Sequence, residues 1–120
     1  MHLTNNSIQK YHKTAVIDES MWDMKTFSEY IGAERWRAIQ EKIKAIIVWS
    51  VRACEGSVTG KKGFFEMVGY DFMIDEDLNP WIIEINMSPS MDHSTPVTKR
   101  LVKMVQRDMG NFIAASAKKK

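Results

Sequence analysis

The sequence predicts an α+β fold in which an antiparallel β-hairpin packs against helices. Three features predict it. Apolar residues recur at helical spacing from Trp36 to Val51. Two apolar, strand-like runs, Phe64 to Asp75 and Trp81 to Met87, flank the turn signal "DEDLNP". A Thr95-Pro96 pair then opens another amphipathic stretch.

In chain order, residues 1–19 are polar and follow no sustained period. From about Glu19 to Ile31, the spacing of Met21, Met24, Phe27 and Ile31 predicts a short helix, with Gly32 at its C′ position. The next helix is the clearest. Trp36, Ile39, Ile43, Ile46, Ile47 and Val51 form an apolar stripe, while Arg37, Gln40, Lys44 and Arg52 lie off it. Gly56 and the run from Ser57 to Gly63 end this helix in a loop. The two strands follow, joined by a turn that ends in Pro80. After the loop "SPSMDHSTP", Thr95 suits an N-cap and Pro96 a first helical residue. The last helix is expected to run to about Phe112 or beyond, with Val97, Leu101, Met104 or Val105, Met109 and Phe112 inward. No internal repeat or second domain is visible.

Composition narrows the class. At 120 residues the chain is one domain at most, or part of one. A hydrophobic content of 44% with 27% charged residues suits a globular chain and argues against disorder. No apolar run approaches membrane-spanning length, and the N-terminus carries no secretory h-region. The single cysteine, Cys54, fits a reducing compartment and reads as a buried structural thiol. A net charge of +2, much of it in Lys118 to Lys120, is too weak to argue for nucleic acid. The four tryptophans are expected in the core.

The second strand poses the chemical question. "WIIEINMSPS", Trp81 to Ser90, is apolar except for Glu84 and Asn86 before it breaks into Ser-Pro-Ser. Pairing symmetric about the turn sets Asp71 opposite Glu84, Gly69 opposite Asn86 and Met73 opposite Ile82. Directly opposed residues share a face, so Asp71, Glu84 and Asn86 project together. Val68, Tyr70, Phe72 and Ile74 would form the other face with Trp81, Ile83, Ile85 and Met87. Adjacent carboxylates repel unless a cation sits between them. Their oxygens with an Asn carbonyl are hard donors suited to Mg²⁺ or Ca²⁺. Gly69 leaves room for something to approach. From the residues alone, a cation site and an ordinary solvated strand face both remain open.

Other motifs carry less. "DEDLN" has EF-hand spacing at Asp75, Asp77 and Asn79, but Pro80 replaces the required Gly and Asn86 the final Glu. "GSVTGKKG" is one residue short of a P-loop and lacks the Ser or Thr after Lys. His12 and His93 are given no role.

Three blocks together resemble the tubulin–tyrosine ligase-like family: "HLTNNSIQK" at His2–Lys10, "GYDFMIDEDLNPWIIEINMSPSM" at Gly69–Met91, and "STPVTKRLV" at Ser94–Val102. The continuation "SPSMDHSTPVTKRL" looks most like that of the glycine ligases, the glycylases. The resemblance implies the C-terminal portion of an ATP-grasp domain, with residues 1–120 forming the C-terminal part of a catalytic domain. It implies ATP and two Mg²⁺ ions as cofactors. Asp71, Glu84 and Asn86 match the family's metal-binding residues, with Glu84 bridging the ions as the catalytic glutamate. His2, Leu3, Thr4 and Asn5 match a segment lining the nucleotide site. The implied reaction attaches glycine to glutamate side chains of acidic tubulin tails, in a cytoplasmic protein of microtubules and cilia. It involves neither nucleic acid nor membrane.

The family's nucleotide-holding lysines and glycine-containing loop lie upstream of the matching blocks. The chain is therefore expected to need that missing N-terminal half and to be inactive alone. A glutamate-adding ligase fragment, a non-catalytic tubulin-binding remnant and a Ca²⁺ module are the alternatives.

Overall fold

The computed structural model of the chain describes residues 22–57, 59–60 and 63–117. Its elements are α1 (Met24–Ile31), α2 (Ala33–Cys54), a 3-10 turn at Glu55–Ser57, β1 (Gly69–Ile74), β2 (Pro80–Asn86) and α3 (Pro96–Ala117). They fall into two compact units, residues 25–89 and residues 1–24 with 90–120. The α+β expectation holds, with one two-stranded antiparallel sheet among the described residues.

In the unit of residues 25–89, Gly32 separates the first two helices. Its N–H donates to the Ser28 carbonyl at 2.9 Å, and its own carbonyl accepts from Trp36 N–H at 3.0 Å. It does so at φ 93°, a left-handed conformation that costs a side-chain-bearing residue energy. The reversal brings Phe27 edge-on to Trp36, with ring centroids 5.5 Å apart. Helix α1 starts later than the sequence spacing predicts: Trp22 and Asp23 are not helical. Asp23 directly precedes the first helical residue, a place that favours short polar side chains over helix interiors. The expected residues Glu19 and Met21 lie outside the described residues.

The α2 stripe holds for most of its length. Ile39 is fully buried, and Trp36, Ile43, Ile46 and Ile47 are half-buried. Val51 is a correction: it is exposed, one residue past Ser50, the last α2 residue bonded to the hairpin. Cys54 is exposed as well, against the expectation of a buried thiol: it is the last α2 residue, a turn past the Ser50 bond to the hairpin. Trp22, Trp49 and Trp81 are also exposed and not core. Trp49 lies under the Arg52 guanidinium at 5.5 Å, and Trp81 Nε1 donates to Asp75.

The hairpin joins α2 through two side-chain bonds. Ser50 Oγ and Tyr70 Oη lie 2.9 Å apart, and Lys42 Nζ donates to Asn79 Oδ1 at 2.7 Å. Strand β1 is shorter than the expected Phe64–Asp75. Residues 64–68 are not strand, because β2 supplies partners only as far as Asn86 opposite Gly69.

In the unit of residues 1–24 with 90–120, Thr95 starts α3 as the sequence predicts. Its Oγ1 accepts from Thr98 N–H at 3.1 Å, and Thr98 Oγ1 accepts in return from Thr95 N–H at 2.8 Å. This reciprocal cap satisfies donors that a helix start leaves free. The inward face differs from the expected one. Val102 is buried and Val97 and Met109 are half-buried, while Leu101, Met104, Val105 and Phe112 are exposed. The sequence period did not single out Val102. Arg100 pairs with Asp23 at 3.3 Å in the same unit.

Candidate functional site

The turn between the strands fixes the hairpin first. Leu78 N–H donates to the Asp75 carbonyl, and Asp75 N–H donates to the Asn79 carbonyl, both at 3.0 Å. Asp75 Oδ1 accepts from Asn79 N–H at 2.7 Å, and Asp75 Oδ2 accepts from Trp81 Nε1–H at 2.8 Å. These bonds hold the Asp75 carboxyl below its ordinary value of 3.8, with the Trp81 bond as the largest cause and the Asn79 backbone bond next. The carboxylate of the EF-hand-like run is thus spent on closing the turn. Leu78 sits at φ 62°, a conformation unusual for a branched side chain, between these bonds.

From that turn, the strands pair so that Asp71 opposes Glu84 and Gly69 opposes Asn86. This matches the symmetric register. Nearer the turn it breaks: Phe72 pairs with Ile82 and Met73 with Trp81, not Met73 with Ile82. A β-bulge between Asp71 and Phe72 leaves Ile83 as the extra residue on β2. The bulge changes the faces. Ile82 joins Tyr70 and Phe72 on the apolar side, where the two rings stack 6.2 Å apart. Trp81 moves to the side of Asp71 and Met73 instead of the apolar face expected for it. Met73 and Trp81 are 62% and 61% exposed, which agrees with that placement.

Asp71, Glu84 and Asn86 are brought together as expected. Asn86 Nδ2 donates to Asp71 Oδ2 at 3.3 Å and to Glu84 Oε1 at 3.1 Å. The amide N–H therefore lies between two carboxylates, the orientation that relieves their repulsion. The carboxylates are exposed and Asn86 is half-buried, so the site is open. Among the described residues no three His, Cys, Asp or Glu side chains gather for a metal. The set here is two carboxylates and an amide. Mg²⁺ is commonly held by one or two carboxylates, with substrate phosphates and water completing the shell, so this donor set fits it. For Asn86 to offer its carbonyl oxygen to a cation, its amide would turn over.

The space left by Gly69 is filled from within the chain. A Cβ there would meet Pro89 Cβ at 2.9 Å, so the glycine admits Pro89 rather than an outside group. Sequence reasoning did not select Pro89. The available signal was a proline three residues after Asn86, opposite a strand glycine. His2, Leu3, Thr4 and Asn5 lie outside the described residues, as does His12. His93 is exposed in the loop before α3. No helix among the described residues is long and apolar enough to cross a membrane.

Comparison with known proteins gives a consistent match. The family model for the tubulin-tyrosine ligase family matches residues 1–120. Tubulin glycylase 3B of Tetrahymena thermophila is 41% identical over 120 residues, covering 94% of this chain and 10% of that protein. Protein monoglycylase TTLL8 of Homo sapiens is 38% identical over 119 residues, covering 90% of this chain and 14% of that protein. Tubulin monoglycylase TTLL3 of Danio rerio is 36% identical over 119 residues, covering 90% of this chain and 15% of that protein. The chain thus spans a small part of the length of these relatives. No solved structure matches it.

Proposed function

Because the chain belongs to the tubulin-tyrosine ligase family, we propose that it forms part of an ATP-dependent ligase joining glycine to glutamate side chains of tubulin tails. The observation that carries this reading is the convergence of Asp71, Glu84 and Asn86 on one strand face. The choice of glycine is supported by the names of the Tetrahymena, zebrafish and human relatives, and that of tubulin by the names of the Tetrahymena and zebrafish ones. The ATP-grasp architecture, a cytoskeletal and ciliary location and a contribution of His2, Leu3, Thr4 and Asn5 to the nucleotide site belong to the same proposal.

The reaction proposed is an acyl transfer through phosphate. The γ-phosphoryl group of ATP passes to a glutamate carboxylate of the tail, giving an acyl-phosphate and ADP. The amine of glycine attacks the acyl carbon, phosphate leaves with the bonding pair, and the amine proton is released as the amide forms. Bound Mg²⁺ supplies charge neutralisation on the phosphate oxygens. Asp71 and Glu84 would hold it with carboxylate oxygens, and Asn86 with its amide oxygen. In this reading Glu84 is the catalytic residue because its carboxylate would hold the metal that neutralises the transferred phosphate. The extended strand backbone orients it, and before a cation binds the Asn86 amide N–H holds it in place.

The test is a chimera in which this chain replaces the corresponding segment of Tetrahymena tubulin glycylase 3B. With microtubules, ATP, Mg²⁺ and labelled glycine, label is expected in the tubulin tail and is lost without ATP. Incorporation of glutamate instead would favour a glutamate ligase. An inactive but folded chimera that still binds microtubules would overturn the catalytic reading and leave a binding role.

A further inference from the structure

The end of β2 is shaped by a contact that the chemistry of the site does not require. Asn86 is the last residue of β2, and Gly69, directly across, is the first of β1. A Cβ on Gly69 would lie 2.9 Å from Pro89 Cβ, 3.6 Å from Pro89 Cγ and 3.8 Å from Asn86 Cβ. Carbon atoms do not approach to 2.9 Å without something moving. The obstacle is a proline ring, which has no far end to swing aside. Gly69 has no positive φ, so its backbone does not demand glycine. What demands it is the close approach of Pro89 over the strand.

That approach bears on Asn86. Only Met87 and Ser88 separate Asn86 from Pro89, so the position of the ring limits how the strand leaves Asn86. The Asn86 amide in turn bridges Asp71 and Glu84 at 3.3 and 3.1 Å. A side chain at position 69 would push on Pro89, while at 3.8 Å it would only rest against Asn86 Cβ, so any effect on Asn86 runs through Pro89.

We propose that Gly69 and Pro89 are positioning residues: their contact clamps the end of β2 so that the Asn86 amide stays between Asp71 and Glu84. The clamp acts on a site residue through backbone and ring packing, and neither residue touches a ligand. The proposal concerns the site read above as a Mg²⁺ centre, and only its metal arm rests on that reading.

The test uses the ¹⁵N-labelled 120-residue chain, with the Asn86 side-chain amide signals assigned by their absence from Asn86→Ala. Gly69→Ala is expected to move these signals from their native positions, and Gly69→Ala/Pro89→Gly to return them. Mg²⁺ affinity, titrated with the metal alone, should fall about 10- to 100-fold in Gly69→Ala, the range seen when a ligand's supporting contact is lost. In an Asn86→Ala background, Gly69→Ala should produce no further fall, because the effect runs through Asn86. Native Asn86 signals in Gly69→Ala overturn the proposal, as does a double variant in which they stay displaced. If Gly69→Ala alone fails to fold, the double variant decides: recovery of fold and signals supports the clamp, and failure to recover overturns it. A native chain that binds no Mg²⁺ overturns the cation reading, and the amide signals then decide the clamp by themselves.

Discussion

Asp71 and Glu84 stand directly opposite each other across the hairpin, and one amide group, Asn86 Nδ2, donates to both. Two like charges at opposed positions destabilise a strand pair, and a shared donor offsets that. Asn86→Ala removes the donor and leaves the carboxylates facing. It is expected to cost about 0.5–1 kcal/mol, the low end of a hydrogen-bond loss because the groups are exposed. Urea unfolding at low and high salt checks the cause: the deficit should shrink as salt screens the repulsion. A deficit independent of salt would mean lost packing instead.

Glu84→Gln keeps the side-chain shape on an exposed strand position. Unfolding free energy should stay within about 0.5 kcal/mol of the native chain, as for ordinary surface substitutions. Ligation by the glycylase chimera should nonetheless be abolished. A large fall in melting temperature with activity retained would contradict the assigned role.

The Asp75 carboxyl gives a pH signature. It is held below 3.8 in the folded chain, by the Trp81 bond first. A carboxylate with a depressed folded value contributes stability that is present above the unfolded value and is lost as pH falls through the folded one. The hairpin should therefore weaken below pH 3.8 and not near neutrality. Trp81→Phe removes the largest cause, so the Asp75 carboxyl should titrate closer to 3.8 by carbon NMR. An unchanged titration would show that the indole bond is not what depresses it.

The bond between Ser50 and Tyr70 ties α2 to β1. Ser50→Ala and Tyr70→Phe should each cost about 1 kcal/mol. Because both delete the same bond, the double variant should cost clearly less than the sum. Strict additivity by chemical denaturation would show that the two hydroxyls do not act as a pair.

Thr95 and Thr98 cap α3 reciprocally. Thr95→Ala should destabilise by about 1 kcal/mol, typical for loss of an N-cap side chain. Thr95→Ser, which keeps the oxygen, should recover most of it. Loss of helical circular dichroism on heating is the readout.

Much of this chain was legible in its sequence, and for physical reasons. The α2 stripe, Gly32 between the helices and the Thr95-Pro96 start are local features, set by helical period, glycine's backbone freedom and a side-chain oxygen. The pairing of Asp71 with Glu84 was also legible, because the turn counts the register outward and alternation assigns the face. What only the tertiary structure decided lies where distant parts of the chain compete for the same space. The bulge that turns Trp81 toward the Asp71 side is one case, since an extra residue has no signature in an apolar run. The Pro89 ring over Gly69 is another, because the sequence marks a glycine but not what will occupy the gap. The burial of Val102 and the exposure of Cys54 complete the set: period says which residues share a face, while neighbours in space determine which face is covered.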